Sequence, residues 1–284
     1  MSISLKALLE ALERIAPIRF ADSAWDNVGL LLEGSRSVIN KIMVCNDLTA
    51  PVLQEAISMN ADFIVAYHPP WFRAEKRMTL TGGLGLMCRA SHHGISVYSP
   101  HTALDAIPGG INDFLIRFGD FPYIDHPVAI LGTKANEPED RVTGYGRIVE
   151  LKDGITVEQA CDAVMRLLHL DTVRIARALD DNLKDGNDDK GNIRKVAVCA
   201  GSGGSLLTPN LDVDLVITGE LSHHQMIALN SAGCSVILTE HSNSERTYLR
   251  QVYMEKLKSA LPDLEIVFSE RDKDPVQFYH MGKK

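Results

Sequence analysis

Residues 41–70, KIMVCNDLTAPVLQEAISMNADFIVAYHPP, decide the fold by the order of their elements. Ile42, Met43, Val44 and Cys45 form a short unbroken apolar run, which reads as a strand covered on both faces. Residues 52–59 read as a helix, and Phe63, Ile64, Val65 and Ala66 repeat the strand pattern. Working outward, 84–92 reads as a helix, 95–98 as a strand and 111–118 as a helix. Near-continuous apolar strands alternating with helices predict a largely parallel sheet with helices on both faces.

The flanks extend the pattern. Leu5, Leu8, Leu9, Leu12 and Ile15 recur at helical spacing with Glu10 and Glu13 opposite, an amphipathic helix ending near Pro17. Residues 122–140 are turn-rich and mark the expected boundary to a second α/β unit. There a strand starts at Gly144, and a helix over 157–168 has Thr156 and Gln159 placed as a capping box. Residues 179–192 read as an exposed acidic loop. Strands follow at 196–199, 215–217 and 236–238, with a helix over 223–231, and a long helix over 244–261 and a strand over 265–268 close the chain.

With 284 residues, 45% of them hydrophobic, the chain can bury one large core or two smaller ones. The net charge of -8 argues against a dedicated nucleic-acid binder, which would carry a basic face. No apolar run reaches the roughly 18 residues of a membrane span. The five cysteines include no C-x-x-C pair, and Cys45, Cys199 and Cys234 fall in or beside strand-like runs as small buried hydrophobes. A reducing compartment is expected: the cytoplasm, with a mitochondrial or nuclear pool as an alternative.

In open parallel sheets, functional residues gather beyond the carboxyl ends of the strands. His68, His101 with Asp105, Glu220 and His241 all take that position. His241 and Glu245 are four apart at the start of a helix and share one face. Imidazole and carboxylate together suit Zn, Mn or Fe, so His68, His101, Asp105, Glu220 and His241 are candidate donors, with Glu245 able to join His241 on the same ion. Glu220, His223 and His224 form a second cluster, of which Glu220 and His224 are candidates for proton transfer. Gly201-Ser202-Gly203-Gly204-Ser205 has neither the Walker lysine nor a complete GxGxxG, and reads as a tight turn rather than a phosphate cradle. Trp25-Asp26-Asn27-Val28-Gly29-Leu30 reads as a structural turn.

As an ordered set these segments resemble the NIF-three family of GTP cyclohydrolase type 2-like dinuclear metal proteins. The set comprises Trp25 to Leu30, Tyr67-His68-Pro69-Pro70, His101 to Asp105, Gly144-Tyr145-Gly146-Arg147, Gly219 to His224, and His241 with Glu245. The resemblance covers essentially the whole chain. It implies two α/β subdomains, 1–125 plus 236–284 for the metal and 126–235 for the second. It further implies a homo-oligomeric ring, often hexameric, and one or two divalent ions held by His68, Asp105, His241 and Glu245. Many bacterial members place two histidines before the proline, whereas this chain has Tyr67 at the first position, and a neutral phenol is a poor ligand. That departure implies a weakened or differently ligated second metal position. The resulting expectation is a metal-dependent hydrolase acting on a nucleotide-like or phosphate-bearing substrate. The alternative is a non-catalytic interaction or metal-handling protein with a partner in transcription.

Overall fold

The computed structural model describes residues 2–133, 142–179 and 193–279. Two five-stranded sheets organise them. The first runs in the order Glu265–Phe268, Lys41–Cys45, Phe63–Ala66, Ser96–Ser99, Gly29–Leu32, and only the last strand is antiparallel to its neighbour. The second runs Arg174–Ala176, Ser235–Leu238, Leu215–Glu220, Ile193–Ser202, Arg147–Ile155, with three central parallel strands between antiparallel edges. The mixed α/β architecture is the expected one, but two of the three antiparallel edges are not among the expected strands. Gly29–Leu32 and Arg174–Ala176 are short, the first only partly buried and the second largely exposed. An edge strand therefore lacks the long apolar run that marks a central one.

Side-chain alternation along these strands sets up three cores. Met43, Cys45, Ile64, Ala66 and Val97 face outward onto Val52, Leu53 and Ala56 of helix Ala50–Ser58 and Met87 and Ala90 of helix Gly82–His92. Ala197, Cys199, Val216, Val236 and Leu238 do the same in the second sheet, around Leu229. The intervening residues, Ile42, Val44, Phe63 and Val65 from one sheet and Val196, Val198, Leu215 and Ile217 from the other, share one inner core. Tyr248, Leu249, Tyr253 and Leu257 fill that core from the C-terminal helical segment. This segment, expected over 244–261, runs as Asn243–Tyr248, a π-helical turn Leu249–Tyr253, and Met254–Ala260. The helix expected over 111–118 stops at Leu115.

The first sheet draws strands from both ends of the chain. Residue 236 lies within Ser235–Leu238, which pairs in parallel with Leu215–Glu220, so the second sheet runs on to Leu238. The capping box of Thr156 and Gln159 forms as expected on helix Val157–Leu168, and Ser222 with Gln225 makes another on His223–Ser231. Of the acidic loop expected over 179–192, residues 180–192 lie outside the described residues, as do 134–140 of the boundary segment. Among the described residues, no helix is long and apolar enough to cross a membrane.

Candidate metal centre

The carboxyl ends of both sheets deliver side chains to one cavity of about 760 Å³. Strand Lys41–Cys45 leads into Asn46 and Asp47, Phe63–Ala66 into Tyr67 and His68, and Ser96–Ser99 into His101. From the second sheet, Leu215–Glu220 ends on Glu220, Ser235–Leu238 leads to His241, and the first turn of helix Asn243–Tyr248 holds Glu245. His101 (φ 25°) and Glu240 (φ 69°) both adopt left-handed backbone without being glycine. Such outliers cluster where the surrounding structure over-determines a site.

Three donors converge. The Nε2 atoms of His68 and His241 lie 3.3 Å apart, and Glu245 Oε1 is 3.5 Å from the first and 3.3 Å from the second. The other ring nitrogens are spoken for: His68 Nδ1 meets Asp47 at 2.9 Å and His241 Nδ1 meets Glu220 at 2.9 Å. A carboxylate at Nδ1 places the ring proton there and turns the Nε2 lone pair toward the centre, the usual support of a metal-binding histidine. Asn46 Nδ2 donates to Glu245 Oε2 at 3.1 Å, which leaves Oε1 for the centre. Gly201 (φ 65°) passes so close that a Cβ there would lie 2.7 Å from Glu245 Oε1 and 3.0 Å from His241 Nε2. Only glycine keeps that space open. This donor set, with its orienting carboxylates and open side, fits a divalent ion.

Electrostatics agree. Burial would raise the Glu245 carboxyl, but the charges and hydrogen bonds of His68 and His241 hold it far below the usual range. Burial would lower His241, yet its bonds to Glu245 and Glu220 lift it to about 9, and Glu245 likewise raises His68. In the metal-free protein the stabilisation from His241 is therefore full below about pH 6.5 and lost as pH rises through about 9. A metal must displace that proton. Apparent Zn²⁺ affinity is therefore expected to climb across this window, with proton release on binding. Chelator competition at several pH values measures it, and a flat profile contradicts it.

The other side of the cavity is arranged differently. Asp105, an expected ligand, lines the wall, but its Oδ1 accepts a hydrogen bond from the Tyr67 hydroxyl and it lies outside the three-donor group. Burial lifts Asp105 to about 6 against the opposing charge of His101, and lifts the Tyr67 phenol well above its ordinary value. Tyr67 thus stands as a neutral hydrogen-bond donor where bacterial relatives are expected to carry a second histidine. His101 Nδ1 is paired at 2.7 Å with Asp26, whose carboxylate also accepts from the Thr102 amide and hydroxyl.

Two proton-transfer candidates part ways. Glu220 lines the cavity but is engaged with His241, so it orients that ring. His224 and His223 are exposed on the first turn of their helix, touching one another, and are not part of the cavity wall. Gly201 and Ser202 end strand Ile193–Ser202, the expected turn follows over 203–206, and no helix opens there. Sequence reasoning missed Asp26, Asn46 and Asp47. The rule of strand carboxyl ends, applied to 42–45, points directly at Asn46 and Asp47. Asp26 had no comparable signal, because its partner lies 75 residues away.

Two facing α/β sheets with an imidazole–imidazole–carboxylate group between their carboxyl ends define a candidate metal-binding α/β protein. The chain belongs to the Duf34/NIF3 (NGG1p interacting factor 3) family, whose pattern it matches over residues 3–275. It is 39% identical to the protein NIF3 homolog of Schizosaccharomyces pombe, covering 95% of this chain and 96% of that one. It is 36% identical to NGG1-interacting factor 3 of Saccharomyces cerevisiae, covering 96% of each. A crystal structure of a Bacillus cereus protein related to NIF3 shares the fold with a TM-score of 0.79 at 18% identity, covering 98% of this chain and 99% of that one.

Proposed function

We propose that this protein is a divalent-metal-dependent hydrolase of a nucleotide-like or phosphate-bearing substrate. The observation that carries the reading is the convergence of His68 Nε2, His241 Nε2 and Glu245 Oε1 in a cavity open to solvent. These three residues hold the ion, and Asp105 across the cavity is the fourth candidate donor. Zn, Mn or Fe bound there would supply Lewis acidity and could activate a water for hydrolysis. The chain's own residues do the positioning. Asp47 and Glu220 fix the two imidazoles, and Asn46 fixes the carboxylate. The Tyr67 hydroxyl holds Asp105 in the cavity wall.

The test is turnover of a panel of nucleotides and phosphoesters by protein whose metal content is known from elemental mass spectrometry. Activity that disappears with chelator and returns with metal supports the reading. Stoichiometric metal without turnover across the panel sinks it, and favours the second reading, a non-catalytic interaction protein with a partner in transcription. The name of the S. cerevisiae relative, NGG1-interacting factor 3, is what supports that alternative. A ring-shaped homo-oligomer, hexameric, and a cytoplasmic location complete the proposal; light scattering after gel filtration checks the first.

A further inference from the structure

The cavity carries an aromatic shelf that the metal donors do not use. Trp25 and Phe72 line it with ring centroids 6.0 Å apart, and they are 53% and 48% exposed. Both rest edge-on against His101, at 5.8 and 5.7 Å. His101 in turn sits 5.2 Å from His68, so one ring separates the shelf from the candidate donors. The shelf is fixed before any ligand arrives. Trp25 Nε1 donates to Asp22 Oδ2 at 2.9 Å, and the Ala24 amide donates to the other oxygen of Asp22 at 3.1 Å. Asn27 Nδ2 donates to the Trp71 carbonyl at 3.2 Å and ties the Phe72 loop to the Trp25 loop. An exposed aromatic face that is already immobilised costs little entropy to bind.

The loop after Phe72 is locally basic. Arg73, Lys76 and Arg77 are exposed there beside one exposed carboxylate, Glu75, in a chain of net charge -8. A local excess of positive charge next to a cavity-lining residue raises the local concentration of an anionic ligand.

We propose that the shelf holds the planar heteroaromatic ring of a nucleoside phosphate, drawn in by Arg73, Lys76 and Arg77, and that ring-free phosphoesters are poor ligands. Stacked on Trp25 and Phe72, such a ring leaves its sugar phosphate directed past His101 toward His68 and His241. The inference rests on the hydrolase reading for the place of the reacting bond, whereas ring binding does not require turnover.

The chain has two tryptophans, Trp25 and Trp71, so Trp71→Phe leaves Trp25 as sole reporter. The full chain in EDTA is titrated with adenosine 5′-monophosphate and, separately, with ribose 5-phosphate. The expected result is quenching of Trp25 by the nucleotide and not by the sugar phosphate. Calorimetry on Trp25→Leu and Phe72→Leu should show nucleotide binding weakened about tenfold or more, the scale of a lost base–aromatic stack. Melting temperature and elution volume should stay unchanged. Equal binding of the two ligands, no nucleotide binding at millimolar concentration, or wild-type binding by Trp25→Leu overturns the proposal. A changed elution volume in the variants also overturns it and makes the shelf a contact between copies. Nucleotide binding intact with no turnover after metal loading defeats the hydrolase reading alone.

Discussion

Glu245→Ala is expected to strip the protein of its metal. The Glu245 side chain is 2% exposed, sits within 3.5 Å of both imidazole Nε2 atoms, and is the only carboxylate of the three-donor group. Its loss leaves two imidazoles, which hold a divalent ion poorly without an anionic partner. Orienting partners behind metal ligands are worth roughly 10- to 100-fold in affinity each, so a direct donor should cost at least about 100-fold. Glu220→Gln supplies the contrast. Glu220 contacts only the far nitrogen of His241, so that variant should bind metal about 10- to 100-fold more weakly and still be loadable. Elemental mass spectrometry after dialysis, with chelator competition, orders the two. Wild-type metal content in Glu245→Ala would remove Glu245 from the centre. Loss of metal from both variants alike would mean that the second carboxylate is itself a ligand.

Arg147→Ala should be the most destabilising single change in the second sheet. The Arg147 side chain is completely buried. Its Nε donates to Asp113, one terminal nitrogen donates to the carbonyls of Gly144 and Gly146 at 2.7 Å each, and the other reaches the Ile107 carbonyl at 3.3 Å. These partners connect strand Arg147–Ile155 to the helices His101–Ala106 and Ile111–Leu115, the first of which carries His101 and Asp105. Truncation leaves the Asp113 carboxylate with only the Gly109 amide and strands three carbonyls. Breaking a buried pair in this way costs about 3–5 kcal/mol. Arg147→Lys should recover only part of that, because one ammonium cannot reproduce the planar fork that serves four acceptors. Urea unfolding measures both, and a loss below about 1 kcal/mol in the alanine variant would contradict the role assigned to the arginine. The chain between Gly144 and Arg147 is shaped for the contact. Gly146 has φ 63°, and a Cβ there would lie 2.8 Å from Ile130 Cδ1.

The sequence by itself determined the elements whose signal is local. Central strands such as Phe63–Ala66 are buried on both faces and so appear as unbroken apolar runs. Capped helices such as Val157–Leu168 announce themselves through residues three apart. The placement of His68 and His241 beyond strand ends was legible for the same reason, since the position follows from the strand itself. Tertiary structure alone decided what those side chains meet. His68 and His241 are 173 residues apart and come from different sheets, so their 3.3 Å approach depends on how the sheets face each other across the shared inner core. It also decided that Asp105 bonds to Tyr67, that Glu220 orients His241, that His224 stays outside the cavity, and that Asp26 serves His101. Hydrogen-bond partners are chosen by proximity in space. The edge strands Gly29–Leu32 and Arg174–Ala176 belong to the same class, because a short edge strand that buries little is defined by the neighbour it pairs with more than by its own residues.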